Sequence, residues 1–352
     1  MKTEVLDTSP ASIVRAAECL RAGWLVAFPT ETVYGLGAHA LDVAAVRRLF
    51  EAKGRPTNDP LIVHVSSFDD VAELLGPDLE TGPYSRARRL AAQFWPGPLT
   101  LVLPRSDRVP PDVTAGLETV AVRVPAHPVA RALLEAAALP IAAPSANLFS
   151  RPSPTCAAHV LQDLDGRIDI VLDGGPTGVG LESTVLDLTC PEPTVLRPGA
   201  ITVEMLRELL PIVRVRDAPA APAERRSMPS PGLLARHYSP RAPLTLFSGH
   251  PAAALQALVA RARDEASQGR RVGVLVTHED VGAVREAPVH VAEMGSRADP
   301  EKMAASLYAA LRQLDAAGVD IILARDVEGT RGLVRAIRDR LARAASERVQ
   351  ED

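Results

Sequence analysis

The chain has 352 residues, 47% of them hydrophobic, and a formal net charge of −4. That length exceeds what one hydrophobic core usually serves, so two domains are expected, and the charge balance excludes a protein that grips nucleic acid indiscriminately through a basic excess. The three cysteines, Cys19, Cys156 and Cys190, form no CxxC pair or Cys/His cluster, and no apolar run approaches a membrane span of roughly 20 residues, so a zinc site, a disulfide framework and a membrane protein are all set aside and a cytoplasmic one is expected.

Apolar residues at helical spacing (Ile13, Ala16, Ala17, Leu20) predict a first helix over 11–22, stopped by Gly23. A strand runs to Phe28 and opens into PTETVYGLG, an abrupt change from buried apolar residues to hydroxyls, one carboxylate and glycines. Residues 43–52 predict a helix closed by Gly54. Strand 61–65, helix 86–94 broken at Pro96-Gly97-Pro98, strands 99–103 and 120–124, helix 129–138, and strands 140–143, 168–172 and 183–188 follow. Helices and strands mix without strict alternation, which predicts an α/β domain with a mixed, twisted sheet over 1–212.

Residues 213–243 are rich in proline and arginine with no sustained period and read as a linker. Beyond it the alternation becomes clean: strand 244–247, helix 251–266, strand 272–277, helix 300–316, strand 319–324, helix 333–345. That pattern predicts a small parallel-sheet domain over 244–352 with Rossmann-like winding.

No P-loop is present, and GGPTGVG at 174–180 has no lysine after it. Polar groups nevertheless recur at strand ends. Lys53 and Arg55 flank the Gly54 turn, Arg123 sits mid-strand, and His64 interrupts an apolar strand. Ser145, Asn147, Ser150, Ser153 and Thr155 follow a short strand, Glu182-Ser183-Thr184 open another, and Arg197 follows an apolar run. Each has an ordinary explanation alone, such as a helix-end cation or a core histidine. Together, four cations with many neutral donors suit a multiply anionic ligand such as a nucleoside triphosphate with a carboxylate. Glu31 and Glu182 are the carboxylates left to hold an amine or order a metal.

In this order PTETVYGLG, KGRP…PLIVHV, WPGPLTLVL, VAVRVPAHP, APSAN…SPT, ESTVLDL and LRPGAIT resemble the YrdC-like family of L-threonylcarbamoyladenylate synthases, and SPGLLARHYSP with the C-terminal segment resembles its two-domain members. The resemblance implies a YrdC-like domain followed by the smaller one. It also implies a reaction: L-threonine and bicarbonate or CO2 give a carbamate that attacks the α-phosphate of ATP, forming threonylcarbamoyl-AMP and pyrophosphate. A separate transferase complex would pass the group to the adenosine beside the anticodon, with at most a weak tRNA contact here. Mg²⁺ is expected on ATP, with no protein ligand.

The resemblance places the threonine site at Thr32, His64, Arg123, the Ala143 backbone and Ser183. It places the nucleotide site at Lys53, Arg55, Asp59, Thr119, Ser145, Asn147, Ser153 and Arg197, with Tyr238 from the linker, and Lys53 and Arg55 as the catalytic cations. Asp59 is an acid among expected phosphates. The linker around His237 and Tyr238 is expected to act as a lid, Gly35 and Gly37 to admit ligand close to the backbone, and Arg151, where the family often has glycine, to crowd its loop or touch phosphate. The rival reading is a related fold that binds structured RNA without catalysis, and scarce aromatic residues for base stacking count against it.

Overall fold

The computed structural model describes residues 2–76, 82–216, 228, 230, 232 and 237–351. The chain divides into two compact units, one of Met1–Phe149, Ser153–Gly178 and Glu182–Ala235, the other of Ser150–Pro152, Val179–Leu181 and Arg236–Asp352. Most of the expected linker falls outside the described residues. The division lies inside it, and two short loops of the first domain's sequence belong to the second unit.

The first unit runs β1 (Glu4–Leu6), α1 (Pro10–Arg21), β2 (Val26–Phe28), β3 (Gly35–His39), α2 (Val43–Lys53), β4 (Ile62–His64), α3 (Gly82–Phe94), β5 (Leu99–Pro104), α4 (Pro111–Thr114), β6 (Thr119–Arg123), α5 (Pro128–Ala137), β7 (Ile141–Ala142), α6 (Ala157–Leu164), β8 (Ile170–Leu172), β9 (Thr184–Asp187), β10 (Thr194–Arg197), α7 (Val203–Leu209) and β11 (Arg214–Val215). Its strands form one mixed sheet in the order β1-β8-β2-β3-β7-β4-β6-β5-β9-β10-β11. The local signals work as the sequence suggests. Ser9 caps α1 by accepting from the Ser12 N–H, with Pro10 in the first turn, and Asp42 caps α2 through the Ala44 N–H. Gly54 closes α2 at φ +60°, a left-handed conformation that costs glycine little.

Strand alternation sends Val26 and Phe28 into a core with α1 and α5, and Leu25 and Ala27 into a larger core with α2, α6 and α7. Helices therefore cover both faces of the sheet, and polar residues such as His64, Thr100 and Arg123 on the inner strands are buried.

The sequence reading missed β3. Its residues, GLGAH, carry little strand propensity, yet β2 pairs with it antiparallel (Val26↔Gly37, Phe28↔Gly35). The glycines have a different purpose from the expected one. A Cβ on Gly37 would lie 2.9 Å from both Ile141 Cγ2 and Phe28 Cε1, and one on Gly35 3.3 Å from the Ala143 Cβ. They let β2, β3 and β7 close on one another, and Gly37 faces core side chains rather than a ligand.

The second unit runs β12 (Leu244–Gly249), α8 (Pro251–Ser267), β13 (Val272–Val276), α9 (Val281–Val284), β14 (His290–Glu293), α10 (Pro300–Ala316), β15 (Ile321–Arg325), α11 (Gly332–Ala344) and β16 (Glu347–Glu351). Its sheet is wholly parallel, as expected. The order β14-β13-β15-β12-β16 departs from Rossmann winding, because β15 inserts between the unit's first two strands. Strands β14 and β16 are mostly polar on their open sides, which hid them from an apolar-run reading.

Of the expected linker, residues 213–216, 228, 230, 232 and 237–243 are described, and Arg214–Val215 form strand β11 rather than linker. In the first unit Met228 is buried against Ile62, Val102, Ala121, Val185 and Leu196, and its N–H donates to the Asn58 carbonyl at 3.2 Å. In the second unit His237 donates its N–H to the Arg343 carbonyl, and Tyr238 adopts φ +62° with its ring between Tyr308 and the Arg340 guanidinium. Left-handed backbone at a bulky residue is held only where surroundings fix it. Arg151 lies 4.0 Å from the Asp315 carboxylate in that unit, an ionic partner the sequence reading did not foresee.

Candidate active site

The site is built where strands of the first unit's sheet end in polar groups. Past β2 the chain turns on Thr30, whose hydroxyl accepts from the Thr32 and Val33 N–H groups and lies 2.7 Å from the Thr32 hydroxyl. This turn presents Thr32 to Arg123, the last residue of β6. Arg123 Nη1 donates to Thr32 Oγ1 at 3.0 Å, and Nε to the Gly97 carbonyl at 3.2 Å. Its Nη2 lies 2.7 Å from Glu31 Oε1, yet neither atom has an aligned hydrogen bond among the described residues. Glu31 Oε2 accepts from the Ala126 N–H at 3.0 Å. Burial pushes the Glu31 carboxyl up, but the Arg123 charge and these bonds outweigh it, so it sits below its ordinary value and is ionised at neutral pH.

His64 ends β4 in register with Arg123, 3% exposed, its ring edge-on to Phe28. Burial, and then the Arg123 charge, lower its pKa to about 3, so the imidazole is neutral. A lowered folded-state value stabilises the fold above the unfolded pKa of 6.5 and loses that contribution as pH falls toward about 3. We expect the urea midpoint of the wild type to drop between about pH 7 and about pH 5, where carboxylates barely titrate, and the drop to shrink in His64→Phe. Equal drops in denaturation curves of the two proteins would contradict it. Ala143 gives its N–H to the Ile62 carbonyl at 2.9 Å, so any ligand contact falls to its own carbonyl.

A second group gathers cations. Lys53, 1% exposed at the end of α2, donates Nζ to the carbonyls of Ser145 (2.6 Å) and Asn147 (2.5 Å), tying that loop to the helix. Burial and then the Arg55 charge hold its ammonium well below the ordinary lysine value. Arg55 donates to the carbonyls of Asp59 (3.2 Å) and Pro60 (2.8 Å) and lies 2.9 Å from the Asp59 carboxylate. Arg197, at the end of β10, binds the Ser183 carbonyl and hydroxyl at 3.1 and 3.2 Å, and Ser183 meets the Thr100 hydroxyl at 2.7 Å. Ser153 donates to Glu182. Thr119 starts the strand that Arg123 ends, roughly 13 Å away by strand rise. Tyr238 belongs to the second unit.

Two family models match this chain, one described as telomere recombination over residues 18–199 and one as the C-terminal domain of threonylcarbamoyl-AMP synthase over 201–346. The threonylcarbamoyl-AMP synthase of Bacillus subtilis is 47% identical, covering 99% of this chain and 96% of its own. That of Schizosaccharomyces pombe is 40% identical, covering 96% and 88%. The crystal structure of Pyrococcus abyssi Sua5 complexed with L-threonine superposes with a TM-score of 0.91 at 41% identity, covering 99% of this chain and all of that one. The chain belongs to the threonylcarbamoyl-AMP synthase family.

Within that family's framework, sequence reading missed three features of the site. Thr100 sets the Ser183 hydroxyl, and its signal was a lone hydroxyl in the buried run LTLVL. The Gly97 carbonyl orients Arg123 from a Pro-Gly-Pro turn that reads only as a helix break. The partners of the two candidate carboxylates are the third: Glu31 pairs with Arg123 and Glu182 accepts from Ser153, contacts between segments far apart in the chain.

Proposed function

We propose that the protein is a threonylcarbamoyl-AMP synthase and a nucleotidyltransferase, which joins L-threonine, bicarbonate or CO2, and ATP into threonylcarbamoyl-AMP and pyrophosphate. The observation that carries the amino-acid half is the buried Arg123 Nη2 beside Glu31 Oε1, two opposite charges without aligned hydrogen bonds. A zwitterionic α-amino acid fits such a pair, its carboxylate on the guanidinium and its ammonium on the glutamate. The threonine complex of the Pyrococcus abyssi relative supports the choice of amino acid. Thr32, the Ala143 carbonyl and Ser183 complete this pocket, with neutral His64 as an apolar wall.

In this reading Lys53, Arg55 and Arg197 hold the triphosphate, with Ser145, Asn147 and Ser153 around it and Thr119 toward the nucleoside. The carbamate oxygen attacks the α-phosphorus, the bond from that phosphorus to the bridging oxygen breaks, and pyrophosphate leaves with the electron pair. The protein's share is to hold anions in line against their repulsion, so Lys53 and Arg55 act on developing phosphate charge. A donor set of lysine and arginines suits a triphosphate that brings its own Mg²⁺, which neutralises charge on the leaving group. We place the reaction in the cytoplasm, upstream of a transferase complex acting on tRNA. Among the described residues no helix is long and apolar enough to cross a membrane, which is compatible with that placement.

Pyrophosphate release should require both L-threonine and bicarbonate, with threonylcarbamoyl-AMP detected by mass spectrometry. Release independent of threonine would remove this reading and leave RNA binding to be titrated. Because serine lacks only a methyl group, it should be used roughly tenfold to two-hundredfold less efficiently by kcat/KM, and equal use would show that the pocket is misassigned.

A further inference from the structure

Asp59 is an acid at the centre of the cation group. Its side chain is fully buried, yet neither carboxylate oxygen has an aligned hydrogen bond among the described residues. The Arg55 donors that could reach it are directed to the Asp59 and Pro60 carbonyls, leaving an ionic contact of 2.9 Å. The charged groups acting on it are Arg55 from its own loop, Arg197 from β10 and Lys53 from α2, and Asp163 acts in turn on Lys53. A buried carboxylate with charge partners but no hydrogen bonds is poorly solvated, and what holds it is the surrounding positive charge.

We propose that Asp59 is a built-in counter-anion of the phosphate site, offsetting part of the positive charge gathered there by Lys53, Arg55 and Arg197 in the ligand-free protein and taking up a proton from solvent when a triphosphate arrives. The inference rests on the reading of those three cations as the phosphate site. Phosphate oxygens brought beside the carboxylate repel it, and a neutral carboxyl removes the repulsion while becoming a hydrogen-bond donor to phosphate. Burial already raises this carboxyl above its ordinary value against the pull of the three cations, the direction that favours uptake of a proton. Binding of nucleotide is thereby weakened at high pH, where the carboxylate must first be neutralised.

The test is calorimetric binding of ATP with Mg²⁺ to the full chain and to Asp59→Asn from about pH 7.5 to about pH 9, above the terminal phosphate's own titration. Wild-type affinity should fall with rising pH by up to about tenfold per unit for one proton. Asp59→Asn should bind roughly tenfold to a hundredfold tighter at the upper end, the effect of removing one like charge at the effective dielectric that describes protein sites, and lose most of the slope. Asp59→Asn also changes how firmly Lys53 holds its proton, so the carboxyl itself is read in the wild type by difference infrared spectroscopy. Equal affinities and slopes overturn the proposal. Weaker binding by the variant also overturns it, by showing that the carboxylate serves the ligand or its metal directly. If neither protein binds ATP while both bind threonine, the phosphate-site reading itself is wrong. Should the variant fail to fold, difference infrared spectroscopy of the wild type decides: ATP must bring up the carbonyl stretch of a protonated carboxyl, and its absence overturns the proposal.

Discussion

Arg123→Lys should lower threonine-dependent kcat/KM by roughly a hundredfold or more while leaving ATP binding nearly unchanged. The guanidinium works in three directions at once, toward the Gly97 carbonyl, the Thr32 hydroxyl and Glu31. A lysine ammonium is a point charge on a flexible stem and cannot hold the same fork. Hydrogen bonds to charged groups are worth about 1.5–3 kcal/mol each, so losing the one to the substrate carboxylate and one that orients the arm removes about 3 kcal/mol, or two decades of rate. Lysine is preferred to alanine because deleting the charge would leave Glu31 buried beside no cation, a loss of about 3–5 kcal/mol that would confuse catalysis with unfolding. Threonine titration by calorimetry and steady-state kinetics with ATP varied separate the two effects. Wild-type efficiency with threonine in a folded Arg123→Lys protein would mean that the amino acid binds elsewhere.

Lys53→Met should reduce kcat by roughly a hundredfold to a thousandfold, the usual loss when one preorganised donor to transition-state charge is removed, and leave threonine affinity intact. Methionine keeps the apolar stem that ends α2 in the core and removes only the ammonium. That ammonium also ties the Ser145 and Asn147 carbonyls to the helix end, so a moderate fall in thermal midpoint should accompany the kinetic loss. The low ligand-free pKa of Lys53 comes from burial and from the like charge of Arg55, and an arriving triphosphate would reverse the balance and fix the proton on the amine. Rapid-quench measurement of a single turnover checks the chemical step directly. An unchanged single-turnover rate with a lowered midpoint would make Lys53 a structural tie only.

Much of the site was visible as isolated polar residues at strand ends, because strands buried on both faces have few reasons to end in hydroxyls and guanidinium groups. Arg123 shows how far that goes. A mid-chain arginine between valines reads as solvent-facing, yet helices cover both faces of this sheet and the arginine is 4% exposed. His64 followed the ordinary expectation for a histidine in an apolar strand, being buried and neutral. Gly37 is needed for close approach within the sheet, against Phe28 and Ile141, a contact that the sequence does not show.

The sequence by itself determined the helices with clean caps, the inner apolar strands, the two-domain α/β organisation and, through seven ordered motifs, the family. Those features are local: a capping serine, a left-handed glycine or an apolar period acts within a few residues. Only the tertiary structure decided that GLGAH pairs as a strand, that β15 inserts between β12 and β13, and which charges face one another. Strand order and ion pairing depend on contacts between residues far apart in the chain, such as Arg123 with Glu31 and Arg197 with Ser183. Whether a buried charge is partnered, as for Arg123, or left without aligned hydrogen bonds, as for Asp59, follows from packing geometry that no single segment encodes.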